Sequence, residues 1–292
     1  MIQIIDRQPS SDGSTKYAFE NERNHRFEAI EFTFDGIFER RQTKIHSICL
    51  SSQAGCALRC AFCATGMGGF FQDLSTEEML EEVGLIQAEL ASSGKGCATS
   101  YALMGMGEPL QNLHNVIGFY ESVREHDPSI GDISVSTVGQ VRELNILAER
   151  TDISFKLFLS VHSPYEQERN RLIPMNQQNP LPMVLDAVRL YVQRKGRRAM
   201  ANYLLLEGVN DDEQHALDLS RLLDDEHFDI NILLMNEVPG IPFRRTGMDR
   251  AERFRQILLD QGLYASLQIS RGRDVGGGCG QLVRDKRNGR IA

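Results

Sequence analysis

Three of the six cysteines in this 292-residue chain lie together, at Cys56, Cys60 and Cys63, with the spacing C-x3-C-x2-C. Cysteines crowded in this way more often bind a metal or carry out redox chemistry than form a disulfide framework. Structural zinc normally takes four protein ligands, often from two C-x2-C pairs, and the chain has no second pair. Three thiolates on one loop suit a cubane iron–sulfur cluster better, because the fourth iron then stays open to a small molecule.

The other cysteines stand apart from this triplet. Cys49 ends a run rich in β-branched residues, and a lone cysteine in a strand is usually a small buried apolar residue. Cys279 lies in "DVGGGCGQL", where the surrounding glycines favour a mobile loop over a packed core. Cys97 has no motif around it and is interpreted as a structural thiol.

Strands and helices that could position these residues alternate along the chain. Strands are predicted at "TKIHSICLS", "SYALMG", "DISVSTVG", "SFKLFLSVH", "ANYLLLEG", "DINILLMNE" and "ASLQISRG". Helical spacing is found at residues 75–94, 113–126, 141–150, 181–194, 211–225 and 248–261. This alternation predicts an α/β fold with a parallel sheet and helices outside it. Six such units resemble a partial (β/α)6 barrel more than a closed eight-fold one, and an open doubly wound sheet stays a possible alternative.

The first 40 residues have a different pattern, since "KYAFENE" and "RFEAIEFTFDG" alternate polar and apolar residues. We therefore predict a small β-rich extension at residues 1–40 and a catalytic domain at residues 41–292. Chemistry in such a fold is expected at the carboxyl ends of the parallel strands. The cysteine triplet, "GMGEP" and several Ser, His and Asn residues follow predicted strands.

Six motifs resemble, in order, those of the RlmN/Cfr family of radical S-adenosylmethionine (SAM) adenine methyltransferases. They are "SSQAGCALRCAFCATG", "MGMGEPL", "VSTVG", "LSVH", "NRLIPMN" and "LLLEGVNDDEQHA", and the resemblance covers residues 26–283. It implies a barrel of the radical-SAM type, with one [4Fe–4S] cluster on Cys56, Cys60 and Cys63 and SAM bound at its open iron. It assigns SAM contacts to Gly107, Glu108, Ser136, Ser160, Val161, His162 and Asn236. Taken alone, residues of these polar types more often form turns and caps.

The resemblance also implies roles for the two separate cysteines. Cys279 would accept a methyl group from one SAM, and a radical from a second SAM would activate that methyl group for addition to adenine. Cys49 would then remove a proton from the adduct and form a transient disulfide with Cys279. Such covalent catalysis divides one inaccessible step into several. "FEAIEF" resembles the context of the family's catalytic base and points to Glu28, with Glu31 as the alternative.

Net charge and hydropathy limit the surroundings of the chain. The net charge of −8 argues against a general nucleic-acid coat protein, because phosphate binding favours a basic surface. Two basic patches, residues 193–198 and 283–292, are exceptions; the first is interpreted as solvated surface, and the second lies close to Cys279. No run approaches the roughly 20 apolar residues of a membrane span, and no signal peptide is recognised. The expected location is the cytoplasm.

For partners, the resemblance implies ribosomal or transfer RNA, methylated at carbon 2 or carbon 8 of an adenine that must first be unstacked. It also implies an external electron donor such as flavodoxin, and we expect a monomer. Only 48 residues precede Cys49, which is short for the accessory domain that helps full-length family members to hold RNA. Two alternatives stay open: an enzyme of the same fold with a non-RNA substrate, and a non-catalytic iron–sulfur sensor or RNA-binding protein.

Overall fold

The computed structural model describes residues 1–38 and 41–282, so the basic tail at residues 283–292 lies outside the described residues. The chain divides into two compact units. The first contains Met1–Ala57, Cys63–Val135 and the carboxyl-terminal residues from Arg271, and the second contains Leu58–Phe62 and Ser136–Ser270. The predicted domain boundary at residue 40 stays a prediction.

The first unit is built on an antiparallel meander that continues into a parallel sheet. Its elements are β1 (Ile2–Pro9), β2 (Thr15–Asn21), β3 (Arg26–Phe38), β4 (Arg41–Leu50), β5 (Gln53–Gly55), α1 (Ala64–Met67), β6 (Phe70–Asp73), α2 (Thr76–Ser92), β7 (Ser100–Leu103), a 3-10 turn (Pro109–Asn112), α3 (Leu113–His126) and β8 (Ile133–Thr137), whose last two residues fall in the second unit. Strands β1 to β4 pair antiparallel in order, and β4 pairs in parallel with β7, as β7 does with β8. Cys49 therefore lies on an inner strand, opposite Ile30 of β3 and Ala102 of β7.

Helix α2 has the cap, the apolar face and the end that the sequence predicts. Ser75 and Glu78 form a reciprocal capping box at its amino terminus, as their spacing predicts. Its predicted apolar face is buried, consisting of Met79, Val83, Ile86 and Leu90. Gly94 follows its end with φ +73°, a conformation that glycine adopts at little cost.

The second unit alternates strands and helices throughout. Its elements are α4 (Val141–Glu149), β9 (Lys156–Ser160), α5 (Glu166–Leu172), a 3-10 turn (Pro174–Gln177), α6 (Leu181–Lys195), β10 (Ala199–Leu205), α7 (Glu213–Leu222), β11 (Phe228–Leu234), α8 (Met248–Asp260) and β12 (Ala265–Gln268). Strands β9, β10, β11 and β12 pair in parallel in that order. Every residue of β11 is buried, which is typical of a strand covered on both faces.

The predicted α/β class with a parallel sheet is confirmed. Each predicted strand and each predicted helix is present, with ends that differ by a few residues. The β-rich character expected of the first 40 residues is also observed, as β1, β2 and β3. Among the residues that the structure describes, no helix has the length and apolarity needed to cross a membrane.

Candidate functional site

The cysteine triplet lies in the connection between two short strands of the first unit. These strands, β5 and β6, pair antiparallel, and Gly55, the last residue of β5, has φ +84°. A Cβ on Gly55 would overlap the carbonyl oxygen of Gly69, and the Cys56 N–H donates to that same oxygen at 2.9 Å. Only glycine lets the two segments approach so closely, so Gly55 sets the position of Cys56.

The three cysteines differ in exposure. Cys56 is buried, whereas Cys60 and Cys63 are half-buried. Cys63 immediately precedes α1 as its N-cap residue. In the second unit, the Ala61 N–H next to Cys60 donates to the Leu172 carbonyl at 2.9 Å, which ties this part of the loop to the end of α5. Backbone hydrogen bonds from Cys56 itself, and from Ala61 next to Cys60, thus hold these two cysteines in place.

Cys49 and Cys279 belong to the same unit although they lie at opposite ends of the sequence. Burial raises the pKa of the Cys49 thiol above its ordinary value, and the charge of nearby Cys279 raises it further. Cys279 itself is exposed, and neither cysteine forms a disulfide in the structure. The fold therefore places a protonated thiol near an accessible one.

The glycines around Cys279 allow close packing as well as sharp turns. Gly277 and Gly278 are buried, and a Cβ on Gly277 would lie 2.6 Å from Ile30 Cδ1. Gly276 and Gly280 have φ values of +66° and +76°. The sequence predicts a mobile loop from these glycines. In the structure the glycines let the segment turn while it lies against β3.

The "GMGEP" turn lies beside Gln53 in the first unit. Gly107 has φ +103°, and a Cβ on it would lie 2.6 Å from Gln53 Cβ. The Glu108 N–H donates to Gln53 Oε1 at 2.8 Å, and the buried Glu108 carboxylate accepts from the Leu110 N–H at 3.2 Å. Gln53, which the sequence reading did not single out, thus positions two predicted SAM contacts.

Other predicted SAM contacts end strands of the second unit. Ser136 lies at the end of β8, Ser160 ends β9, and buried Val161 follows it. Asn236 comes shortly after β11, is buried, and donates to Ser270 Oγ at 2.9 Å. Each of these residues, considered separately, lies at or shortly after the carboxyl end of a strand, as the sequence predicts.

His162 has an unusual conformation and a defined tautomer. Its φ is +60°, which is uncommon for a residue other than glycine and often marks a functional position. Its Nδ1 accepts from the Leu204 N–H at 3.0 Å, and its ring lies edge-on to Phe62 at 4.8 Å. Burial and the Arg169 charge lower its pKa to about 3, so the ring is neutral and carries its proton on Nε2.

Known proteins resemble this chain along nearly its whole length. A profile described as "Radical SAM superfamily" matches residues 50–220. A "Dual-specificity RNA methyltransferase RlmN" from Alkalilimnicola ehrlichii is 35% identical over 285 residues, which is 96% of this chain and 76% of that protein. One of the same name from Halorhodospira halophila is 35% identical over 301 residues, covering 99% and 78%. The chain belongs to the RlmN family of radical SAM proteins.

A solved structure supports this membership. A radical SAM methyltransferase from Sphaerobacter thermophilus superposes with a TM-score of 0.89 at 33% identity, covering 97% of this chain and 82% of that one. As a member of the RlmN family, the chain is a radical SAM methyltransferase. Its superfamily uses SAM and a [4Fe–4S] cluster.

The cysteine donor set fits the cluster of the radical SAM superfamily. Within residues 1–38 and 41–282, no three His, Cys, Asp or Glu side chains are grouped closely enough to share one metal ion. A cubane cluster does not need such a group, because each thiolate binds a different iron. Three thiolates with C-x3-C-x2-C spacing therefore match a cluster better than a single ion.

Arg169 is a residue of the RlmN-like motif region that the sequence analysis missed. Its side chain is fully buried in the second unit and donates to the carbonyls of Val138 at 2.6 Å, Ser160 at 2.9 Å and Val161 at 3.1 Å. It also donates to Asn176 Oδ1. Burial lowers its pKa to about 10, and Glu166 and Cys60 oppose that shift, so the guanidinium stays charged. Arg169 thus fixes the backbone that follows β8 and β9.

Asn210 has a similar part in the same unit. Its amide donates to the carbonyls of His162 at 2.7 Å and Leu204 at 2.8 Å, and its oxygen accepts from the Leu206 N–H at 2.7 Å. It therefore joins the ends of β9 and β10 and supports the conformation of His162. The signal was its place in the motif "GVNDD", where a turn residue is the ordinary interpretation.

The two candidate bases lie on β3 with different partners. Glu28 is buried and pairs with Lys16 at 3.0 Å, and its backbone carbonyl accepts from Ser51 Oγ at 2.7 Å, near the end of β4. Glu31 accepts from His46 Nε2 at 2.9 Å and from Lys95 Nζ at 2.7 Å, so both of its oxygens are engaged. The Ser51 contact brings the Glu28 backbone to the strand end that carries Cys49, and Glu28 stays the predicted base.

Proposed function

We propose that this chain methylates carbon 2 or carbon 8 of an adenine in ribosomal or transfer RNA, through a methyl group first carried by Cys279. The observation that carries the proposal is that the strand of Cys49 and the loop of Cys279 meet at Ile30, which lies opposite Cys49 in the sheet and 2.6 Å from a Cβ placed on Gly277. A radical SAM enzyme without a methyl-cysteine mechanism has no need of this pair. The relatives named "Dual-specificity RNA methyltransferase RlmN" support the choice of RNA.

Each group of residues has a defined task in this proposal. Cys56, Cys60 and Cys63 would hold one [4Fe–4S] cluster, and Gly107, Glu108, Ser136, Ser160, Val161, His162 and Asn236 would hold SAM. When bound, the cluster and SAM supply a carbon-centred radical. A neutral His162 can donate from Nε2 to an oxygen or nitrogen of SAM. The Glu108 carboxylate, which accepts from the Leu110 N–H, is of a type that can also accept from the SAM ammonium, because a carboxylate has several lone-pair sites.

Cys279 and Cys49 carry out the covalent steps. The Cys279 sulfur gains a methyl group and later links the RNA base to the protein through a carbon–sulfur bond. The radical adduct first gives up one electron, for which the cluster when bound would be the acceptor, and the Cys49 thiolate removes a proton from the adenine carbon. Cys49 passes that proton to a base such as Glu28, and its thiolate then attacks the Cys279 sulfur. The carbon–sulfur bond breaks, its electron pair stays with the methyl carbon, which gains a proton, and a disulfide forms. An external donor such as flavodoxin would return two electrons and allow another cycle.

The raised pKa of Cys49 suits this role. A thiol that holds its proton tightly gives a thiolate that is a strong base, so it can take a proton from carbon when its own proton has been removed. Exposure of Cys279 lets its sulfur reach a base that has been turned out of an RNA helix. We further propose that the protein works as a monomer.

The first basic patch contributes little to RNA binding in this proposal. Arg198 donates to Asp229 at 3.0 Å and to Asp225 at 2.9 Å, and Lys195 donates to the Arg150 carbonyl at 2.5 Å. These cations are engaged within the second unit, as expected of a solvated surface. A paired cation releases fewer counterions when phosphate binds than a free one does.

The decisive experiment is nucleoside mass spectrometry of ribosomal and transfer RNA from cells with and without the gene. We expect one methyladenosine to disappear without it and to return with the wild type and Cys97→Ala, but not with Cys279→Ala. Cys97 is a matched control because it is another exposed cysteine. RNA that is unchanged by deletion, or restored by Cys279→Ala, would refute the proposal. Cys49→Ala should accumulate RNA linked to Cys279.

A further inference from the structure

The loop that carries Cys279 is fastened at both ends. Downstream, the Gly280 carbonyl accepts from the Ala64 N–H at 2.9 Å, and the Leu282 carbonyl accepts from Thr65 Oγ1 at 2.8 Å. Both donors belong to α1, which directly follows Cys63. The downstream side is thus attached to the segment that leaves the cysteine triplet.

The upstream end is fastened by the turn between β1 and β2, which we call the Ser10–Ser14 turn. Asp274 accepts from Ser10 Oγ at 2.5 Å and from the Ser11 N–H at 3.0 Å. In the opposite direction, Asp12 of the turn accepts from the Gly272 N–H at 2.8 Å. Two carboxylates, one on each segment, therefore cross-link the turn and the loop.

The turn is itself prepared for this contact. Asp12 also accepts from the N–H of Ser14 at 3.0 Å and from its hydroxyl at 2.5 Å, so hydrogen bonds within the turn itself orient the carboxylate. A Cβ on Gly272 would lie 3.2 Å from Ser14 Oγ, and Gly272 has φ +64°. The Gly277 N–H then closes the loop onto the Gly272 carbonyl at 2.7 Å. Glycine at position 272 is what permits the approach.

We propose that Asp12 and Asp274 are positioning residues for Cys279, and that the Ser10–Ser14 turn holds the Cys279 sulfur where it can react with Cys49. The inference rests on the proposed function of Cys279. It gives the Ser10–Ser14 turn a positioning role that neither the motifs nor the family membership assigns to it. Because Asp12 and Asp274 are both exposed, their replacement leaves the core of the first unit intact.

The test measures how readily Cys49 and Cys279 pair in the anaerobic, cluster-loaded protein. The protein is equilibrated with mixtures of reduced and oxidised glutathione, quenched by alkylation, and analysed for the Cys49–Cys279 peptide by mass spectrometry. Glutathione disulfide supplies the two-electron oxidant and leaves as two glutathione thiols, so the midpoint reports the effective concentration of one thiol at the other. Asp274→Ala and Asp12→Ala should each lower it roughly tenfold or more, because small displacements strongly weaken proximity effects.

Two controls separate positioning from general damage. Asp6→Ala removes an exposed carboxylate of the same hairpin that accepts from Arg7 and Gln8, and it should leave the effective concentration unchanged. Ser10→Ala should lower it, and the effect of adding Ser10→Ala to Asp274→Ala should be smaller than that of Ser10→Ala alone, since both remove the same hydrogen bond and only the weaker contact of Ser10 Oγ with the Asp12 N–H at 3.3 Å remains to be lost. Thermal unfolding of each variant checks that the fold is retained.

The outcomes distinguish this inference from the proposed function. Wild-type effective concentrations in both Asp274→Ala and Asp12→Ala would overturn the positioning role, whatever the RNA result. A lowered effective concentration together with a wild type whose Cys279 is never methylated would support the positioning and refute the proposed function. If both hold, the fraction of Cys279 methylated after incubation with SAM should fall in the two variants and not in Asp6→Ala.

Discussion

Replacing Gly55 by alanine tests whether the close approach of Gly55 to Gly69, on either side of the cysteine triplet, positions Cys56 as a proposed cluster ligand. Gly55 has φ +84°, so alanine there would cost about 1–2 kcal/mol of backbone strain. The added methyl group would also overlap the Gly69 carbonyl oxygen. That carbonyl must then move away from the Cys56 N–H, and leaving a buried N–H without its partner costs about 1–3 kcal/mol. We expect Gly55→Ala to lower the free energy of unfolding by about 2–5 kcal/mol.

Gly94→Ala is the matched control. Gly94 has φ +73° but has open space where a Cβ would be, so its replacement carries the backbone strain without the overlap. We expect a loss of about 1–2 kcal/mol from this variant. Urea unfolding of both variants gives the stabilities, and iron and sulfide analysis after anaerobic reconstitution reports cluster binding.

Only Gly55→Ala should lose iron as well as stability, binding clearly less iron per chain than the wild type because Cys56 is displaced. Gly94→Ala, at a position just after α2, should bind the wild-type amount. Equal stability losses in the two variants, with full iron content in both, would show that the Gly69 carbonyl does not hold Cys56 in place.

Two further predictions concern buried charged side chains. Glu82 is fully buried on α2, and burial raises the pKa of its carboxyl group well above the ordinary value. The protonated carboxyl group therefore contributes its full stability below the unfolded pKa of about 4.3, and this contribution is lost as the pH rises through the folded pKa. The change in the free energy of unfolding caused by Glu82→Gln should therefore be more favourable at pH 8 than at pH 5, by about 1.4 kcal/mol for each pH unit by which the folded pKa lies above pH 5. Equal changes of the urea midpoint at the two pH values would contradict this prediction. Arg169→Lys keeps the charge, but its donors all lie on one nitrogen and cannot reproduce the fork that contacts the Val138, Ser160 and Val161 carbonyls. Calorimetry should show SAM affinity falling about tenfold or more, unlike in the exposed control Arg171→Lys. Unchanged affinity in Arg169→Lys would show that the strand-end backbone does not depend on this side chain.

The longer elements could be predicted because their own residues determine them. Helix α2 carries its stop and start signals and a buried face at helical spacing, and β11 is an uninterrupted apolar run. The short elements α1, β5, β6 and α5 could not be predicted in this way. β5 and β6 have three and four residues, and their pairing depends on the approach of Gly55 to Gly69, which no local pattern encodes.

The residues of the candidate site likewise include some that the sequence predicts and others that it does not. Residues that we propose to bind a cofactor or carry a methyl group could be singled out from their type and motif, as with the triplet and Cys279. The residues that hold these in place could not. The burial of Arg169 depends on carbonyls of Val138, Ser160 and Val161, which its helix reaches only in the folded chain. A long cationic side chain is mostly exposed in proteins, so its sequence position alone indicates surface.

Ile30 explains why the amino-terminal strands belong with the chemistry. On β3 it lies opposite Cys49 of β4 in the sheet. Its Cδ1 atom is also the atom that a Cβ on Gly272 would overlap and that a Cβ on Gly277 would approach to 2.6 Å. One side chain of the extension therefore supports both the strand of Cys49 and the loop of Cys279, while the Ser10–Ser14 turn fastens that loop from its other side. We therefore expect the separation of the two sulfurs to depend on residues 10–30 as well as on Ala64 and Thr65, which hold the other end of the Cys279 loop.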